Sequence, residues 1–373
     1  MKNFIIIVPV IFIFLTACNS VGRLDEKEMR DIKSIELVKE FNNGWNLGNT
    51  LDATNPSLAG SRPEAFETAW GNPVTTPEMI KMVKDAGFNL VRIPVTWDKQ
   101  IGDAPDYAIN PAWMDRVQEV IDYAVDLDLF VIMNLHHEDW HFPSNENFEK
   151  AESIIIKVWE QIAKRFENYD ERLIFEAMNE PRMKETEFEW TGGTTESRSV
   201  VNQLNKAFYE TIRNADGNNP LRHLMLPTYA ASAETHVLDD LIIPDDDRVI
   251  VSVHSYSPYD FALNEAGVTT WSADNPSDTR DIDSLVERLE ERYISKGIPV
   301  IIGEYGARNK DNLEDRVAWA HYYVKTMEAK GIPRVWWDNN LFVSSGENFG
   351  LLNRRTLTWE YPEIVEAIME ASK

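Results

Sequence analysis

Leu173-Ile174-Phe175-Glu176-Ala177-Met178-Asn179-Glu180-Pro181 begins as a buried strand would and ends as a ligand site would. Its first three residues are large and apolar, as in a short strand packed on both faces. Its last three are an amide, a carboxylate and a proline. Pro181 lacks an N–H and biases Glu180 toward an extended conformation, so the strand stops there. Asn179 and Glu180 are consecutive and would face opposite ways in a regular strand. For both to reach one ligand, the strand must bulge or end at them.

The same form, an apolar run with a polar end, repeats along the chain. Val91-Arg92-Ile93-Pro94 carries an arginine, and Met133-Asn134-Leu135-His136-His137 ends in imidazoles. Val253-His254-Ser255-Tyr256 offers a histidine and a tyrosine, and Ile302-Gly303-Glu304-Tyr305 a glutamate. Val335-Trp336-Trp337-Asp338 offers a tryptophan and an aspartate. Strands are expected over 44–49, 90–95, 130–136, 173–179, 223–228, 249–254, 299–304 and 334–338. Amphipathic stretches at 76–86, 111–126, 151–168, 197–215, 282–295 and 313–329 read as helices between them. The fifth unit has only a weak helix near 234–240. Eight strands alternating with helices predict an α/β fold, a (β/α)8 TIM barrel. A doubly wound sheet is the alternative, but no Gly-rich phosphate loop follows the first strand.

The 373 residues carry a formal net charge of −25, with 43% hydrophobic residues and 12 tryptophans. So acidic a chain repels phosphate backbones, so no nucleic-acid partner is expected, and anionic polysaccharides are disfavoured. A neutral glycan meets no such repulsion, and flat aromatic rings suit pyranose faces. Lys2 followed by the apolar run 4–15 is too short to span a bilayer comfortably and reads as a secretory signal. It ends Leu15-Thr16-Ala17-Cys18, which resembles the bacterial lipoprotein cleavage box and implies lipidation of Cys18. Cys18 is the only cysteine, which excludes disulfides, thiol catalysis and cysteine–metal sites. The segment after it is charged and poor in large apolar residues. The expected organisation is a signal peptide at 1–17, a tether at 18–35 and one catalytic domain at 36–373. Membrane contact is expected through the N-terminal lipid alone, on the bacterial cell envelope (the outer membrane), with the chain a monomer.

In a barrel the C-terminal ends of all strands converge on one mouth. Glu180 and Glu304 would therefore meet there, with Arg92, His136, Asn179, His254, Tyr256 and Trp337 around them. A single strand-end glutamate could be a structural ion pair; two with this company are harder to explain so. Two carboxylates flanking one bond are what glycosidic cleavage requires. Each glutamate's charge raises the other's proton affinity, so one can stay protonated near neutral pH. The residues alone do not say which glutamate does which job.

Taken together, Gly44-Trp45-Asn46-Leu47-Gly48-Asn49-Thr50-Leu51-Asp52, Glu67-Thr68-Ala69-Trp70-Gly71-Asn72-Pro73, Val91-Arg92-Ile93-Pro94-Val95, Asn134-Leu135-His136-His137-Glu138 and Asn179-Glu180-Pro181, in this order, resemble glycoside hydrolase family five. The resemblance runs from about residue 41 onward and is to the subfamily rich in endoglucanases, xyloglucanases and mixed-linkage glucanases. It implies that Glu180 is the general acid/base and Glu304 the nucleophile. It further implies that Asn179 binds a sugar 2-hydroxyl and that Arg92 lies beside Glu304. Tyr256 would hydrogen-bond the nucleophile, and His254 would bear on the acid/base. His136 would contact the sugar in the −1 subsite, and Trp337 would be its stacking platform. A non-prolyl cis peptide is expected at Trp337–Asp338.

The implied activity is endo-acting, retaining hydrolysis of soluble β-1,4-glucans, with xyloglucan, mannan or xylan as alternative substrates. A surface lipoprotein that binds glycan without cutting it is the reading from another class. No cofactor is implied. The run His136-His137-Glu138-Asp139-Trp140-His141 invites a metal reading, but paired-glutamate chemistry needs no metal, and His137 is expected to touch substrate or support Glu180. Trp97 and Trp140 follow strand ends and either line outer subsites or pack in the core. The loops 183–198 and 257–280, and Ser344-Ser345-Gly346-Glu347-Asn348 after the last strand, are candidate cleft walls.

Overall fold

Alternation along each apolar run decides what the sheet encloses. In a computed structural model, which describes residues 29–58, 60–343 and 346–373, eight parallel strands close into a barrel. They are β1 (Gly44–Leu47), β2 (Leu90–Ile93), β3 (Phe130–Asn134), β4 (Leu173–Glu176), β5 (Leu224–Pro227), β6 (Val249–His254), β7 (Val300–Tyr305) and β8 (Arg334–Asp338). On β2, Val91 and Ile93 point out toward the helices while Leu90 joins the barrel interior. Strand parity then turns Arg92 inward with Leu90. The same two-residue step turns Asn134 inward after Ile132, Glu176 after Ile174, and Ser252 after Ile250. An apolar floor is thus overlaid by a polar layer, and that layer faces the mouth.

The helices are α1 (Ser34–Leu37), α2 (Pro63–Glu67), α3 (Pro77–Asp85), α4 (Pro111–Val125), α5 (Asn145–Arg165) and α6 (Thr195–Arg213). There follow α7 (Thr235–Asp240), α8 (Tyr259–Ala262), α9 (Pro276–Arg292), α10 (Leu313–Glu328) and α11 (Pro362–Ala371). Their apolar faces form one continuous core with the outer faces of the strands. The weak fifth-unit helix is the six-residue α7. Helix α5 starts earlier than expected because its first six residues carry a single apolar side chain, Phe148; Ser144 caps it by accepting the Asn147 N–H at 3.3 Å. The C-terminal α11, which the sequence reading omitted, buries Ile364, Val365 and Ile368 and packs on α10.

Cys18, the signal segment and most of the tether lie outside the described residues, as do Ser344 and Ser345. Residues 29–35, placed in the tether by the sequence, instead pack on the barrel. Met29 is buried, Arg30 pairs with Glu171 and Glu40, and Ser34 Oγ lies 2.7 Å from His223 Nδ1. Their charged composition hid this, because the contacts are ion pairs rather than an apolar stripe. Leu37, Val38 and Phe41 then plug the N-terminal end of the barrel against Leu90, Phe130 and Val335. Among the described residues no helix is long and apolar enough to cross a membrane.

Candidate active site

Two strand ends break the regular ladder where the glutamates stand. Strand β4 stops at Glu176, and the Asn179 N–H donates to Leu135 O at 2.8 Å, so Asn179 and Glu180 lie beyond the regular strand and both can face the mouth. Irregular registers at Val253/His254 and between Ile302 and Tyr305 place His254 opposite Glu304. One oxygen of Glu180, one of Glu304 and one nitrogen of His254 all lie within 4.8 Å of one another.

Arg92 organises the floor of this site. Its Nη1 donates to Glu304 Oε1 at 2.8 Å and to Asn46 Oδ1 at 3.1 Å, and its Nε donates to Glu176 Oε2 at 2.8 Å. Its Nη2 donates to Asn179 Oδ1 at 2.7 Å. Burial opposes the arginine's charge, but Glu176 and Glu304 outweigh it and hold its proton more tightly than usual. Glu176 also accepts from Asn134 Nδ2 at 3.0 Å and Ser252 Oγ at 2.5 Å. All three of these partners sit in the inward polar layer.

The second oxygen of Glu304 accepts the Tyr256 hydroxyl at 3.0 Å. His254 Nδ1 lies 2.8 Å from Glu180 Oε1, and its Nε2 lies 3.5 Å from Arg92 Nη2. Arginine can only donate, so Nε2 is the acceptor and Nδ1–H points at Glu180. Burial raises Glu304, as does the Glu180 charge, against the pull of His254 and Arg92. Burial also raises Glu180, but a charged His254, with Arg182 and His137, draws it down to about 2. Two buried carboxylates this close titrate as a pair, with one proton between them.

Around the pair, Trp337 and His136 lie parallel, with ring centres 5.7 Å apart and an interplanar angle of 1°. Burial keeps His136 neutral, its affinity for a proton lowered further by His137 and Arg92. Asn134 Nδ2 meets His136 Nδ1 at 3.2 Å, which leaves the Nε2–H as donor to a ligand. Burial pushes His137 down to about 4, aided by Lys184. Its ring centre lies 5.5 Å from that of Trp70, which is 38% exposed.

The Trp337–Asp338 bond is not cis, contrary to expectation; cis bonds occur at Ala104–Pro105 and Ser257–Pro258. Asp338 is still in the β1–β8 ladder, opposite Leu47. Its carboxylate accepts Trp45 Nε1 at 2.8 Å and the N–H groups of Leu351 and Leu352 at 3.0 and 2.8 Å. These bonds anchor the Asp338 side chain at the end of β8.

Trp97 and Trp140 are buried in the main hydrophobic core, which Trp337 does not join. Glu138, pushed up to about 8 by burial, accepts the Trp97 N–H and Trp140 Nε1–H, each at 2.7 Å, and so joins the loops after β2 and β3. Trp271 is likewise buried, against Tyr322, whereas Tyr259 and Trp190 are exposed. Sequence reasoning passed over Glu176, Asp52, Trp70 and Arg182. A glutamate in the middle of an apolar strand was a usable signal for Glu176; a lone tryptophan in a polar loop was a weaker one for Trp70.

Two sets of side chains, Asp52 with His136 and His137, and Glu180 with His254 and Glu304, bring three ligand atoms within 4.8 Å. Asp52 already accepts the Asn49 and Thr50 N–H groups, and His136 Nδ1 is occupied by Asn134. The other set is the carboxylate pair itself.

A (β/α)8 barrel that gathers paired carboxylates, imidazoles and aromatic faces at its mouth has the form of a carbohydrate-active hydrolase. A family model described as cellulase (glycosyl hydrolase family 5) matches residues 52–342. Endoglucanase A of Ruminococcus albus is 47% identical over 351 residues, 93% of this chain and 94% of that protein. Cellulase/esterase CelE of Acetivibrio thermocellus is 47% identical over 92% of this chain, which spans only 41% of that protein's length. Among solved structures, a GH5-4 broad specificity endoglucanase from Ruminococcus champanellensis with bound cellotriose superposes with a TM-score of 0.89 at 48% identity, covering 92% of this chain and 100% of that one. The chain belongs to glycosyl hydrolase family 5.

Proposed function

We propose that this protein is an endo-acting β-1,4-glucanase that hydrolyses soluble β-glucans by double displacement with retention. The observation that carries this reading is the approach of Glu180 and Glu304 oxygens to within 4.8 Å. Retaining enzymes hold their carboxyl groups about 5–5.5 Å apart, whereas inverting ones leave about 6.5–9.5 Å for a water. A β-linked neutral polysaccharide is the substrate class, and the endoglucanase names of the relatives support the β-1,4-glucan within it.

In the first step Glu304 attacks the anomeric carbon and Glu180 gives its proton to the leaving oxygen, so an ester forms as the glycosidic bond breaks. In the second, Glu180 takes a proton from water, which attacks the same carbon and releases Glu304. Arg92 and Tyr256 both donate to Glu304, which orients it and favours its ionised form. Arg92 also fixes Asn179 by taking its Oδ1, so the amide N–H groups are those available to a sugar 2-hydroxyl. His136 offers its Nε2–H to the same sugar, and Trp337 a ring face.

Proton NMR of the first-formed product from barley β-glucan tests the mechanism; an initial α-anomer would overturn it. Glu304→Ala should lose at least about 10⁴-fold in kcat, with azide restoring part of it as an α-glycosyl azide. No sugar release by wild type from β-glucan, xyloglucan, mannan or xylan would instead leave the glycan-binding reading. Lipid attachment at Cys18 on the cell envelope belongs to the same proposal, resting on Leu15-Thr16-Ala17-Cys18 alone.

A further inference from the structure

Arg182 follows the Asn179-Glu180-Pro181 turn and reaches in two directions. Its Nη1 donates to the Glu180 carbonyl at 3.1 Å and lies 3.4 Å from Glu180 Oε2. Its Nε donates to Glu189 Oε1 at 3.0 Å, and its guanidinium carbon sits 4.3 Å from the centre of the Trp190 ring. The other Glu189 oxygen accepts the Glu185 N–H at 2.9 Å, which closes the loop that carries Trp190. Arg182 is therefore held from three sides and cannot swing away from Glu180. Trp190 is 60% exposed, so with the guanidinium over one face the ring still presents a large apolar area to a ligand.

We propose that Arg182 is a positioning residue that sets the proton affinity of Glu180 and locks it to Trp190 on the leaving-group side of the cleft. This deepens the acid/base reading of Glu180 and rests on it. An acid/base must hold a proton in the first step and have lost it in the second. The groups facing Glu180 are His254 from β6, Glu304 from β7, His137 from the end of β3, and Arg182 from its own loop. Glu347, after β8, also feels the charges of both glutamates. Lys184, the other cation nearby, is drawn to Asp139, 3.5 Å away. Arg182 is thus the permanent cation that bears on Glu180 without being shared with Glu304. Burial raises the proton affinity of Glu180, and Arg182 opposes that rise beside the His254 hydrogen bond. Once Glu304 is esterified its charge is gone, and Arg182 then favours the ionised Glu180 that must accept a proton from water. Because Arg182 touches both, Trp190 stands beside Glu180, the group that would meet the departing sugar.

The experiment compares wild type with Arg182→Met, Arg182→Lys and Glu180→Ala, measuring kcat/KM against pH. Barley β-glucan needs acid assistance, whereas 2,4-dinitrophenyl β-cellobioside has a leaving group that needs none. Arg182→Met should move the basic limb on β-glucan upward by about one pH unit. At neutral pH its kcat/KM should fall about tenfold more on β-glucan than on the activated glycoside. Arg182→Lys keeps the charge but not the flat stacked contact, so its basic limb should stay within a few tenths of a unit while KM for β-glucan rises. An unmoved basic limb in Arg182→Met overturns the proposal, as does an equal loss on both substrates, which a structural role would produce. Glu180→Ala separates the two levels. A selective loss on β-glucan with an unmoved Arg182→Met limb sinks Arg182 alone. An equal loss on both substrates in Glu180→Ala removes the acid/base reading and the proposal with it.

Discussion

Glu304 accepts two protein donors, and Tyr256 is the one that can be removed without leaving a buried charge unpaired. Its hydroxyl lies 3.0 Å from Glu304 Oε2, and burial with the Glu304 charge keeps that phenol well above its usual range. In Tyr256→Phe ionised Glu304 loses one hydrogen bond, so its proton affinity rises further above that of an ordinary glutamate. The limb that requires ionised Glu304 is the acidic one, and activity there is lost as pH falls through the raised value. We therefore expect the acidic limb of kcat/KM to move to higher pH by about one unit, with kcat reduced about tenfold at the optimum. A limb that stays put would mean the hydroxyl bears no weight on Glu304. At this scale the sequence was informative wherever a polar residue ended an apolar run, as at Glu180, Glu304 and His254. It was silent where function depends on a partner across the barrel. Nothing near Arg182 in sequence says that its guanidinium lies over Trp190, because the loop between them must first close.

Strand parity was readable in advance, and it accounts for most of the site. The two-residue step that puts Leu90 on the floor puts Arg92 above it, and the same step from Ile174 delivers Glu176. What parity could not supply was the behaviour of strand ends. The Asp338 carboxylate is anchored by the N–H groups of Leu351 and Leu352, residues whose return to β8 no local pattern announces. Helix ends depend on similar long-range partners. Arg222, fully buried before β5, donates to the carbonyls of Phe166 and Tyr169 at 3.1 and 2.7 Å, and of Asp170 and Leu173 at 3.1 and 2.8 Å. These carbonyls line the turn from α5 into β4, and Arg222 gives them a charged donor beside the backbone and Asn218 donors that Phe166, Asp170 and Tyr169 already have. Arg222→Met fills the same space with no donors, so stability should fall by about 3 kcal/mol in a urea titration. A change below about 1 kcal/mol would show that the remaining donors to those carbonyls suffice without Arg222. Because β4 carries Glu180, residual activity should also decline faster with temperature than in wild type.

The barrel has two unlike ends, and this polarity matters if the chain is held at a surface. Glu180 and Glu304 stand at the C-terminal mouth, while Leu37, Val38 and Phe41 plug the other end and Met29 is already packed by the time the described chain begins. The described chain therefore begins on the side away from the cleft, where Arg30 meets Glu171 and Ser34 meets His223. An attachment at Cys18 would turn the mouth outward, toward a polymer too large to pass beneath the protein. The acidic surface acts the same way, since a charge of −25 is repelled by anionic lipid headgroups and keeps the domain off the bilayer. Two consequences can be measured in a bacterial host. Cys18→Ser should abolish incorporation of labelled fatty acid and release the protein from the membrane fraction. Its kcat/KM on soluble β-glucan should stay within about twofold of wild type, because Cys18 is none of the residues that surround Glu180 and Glu304. The orientation has its own test, in which whole cells or vesicles bearing the lipidated enzyme are given β-glucan of increasing chain length. A cleft facing outward should keep the same relative rates as the released enzyme at every length. A rate that falls with chain length only in the anchored form would place the mouth against the membrane and reverse the orientation argued from Met29.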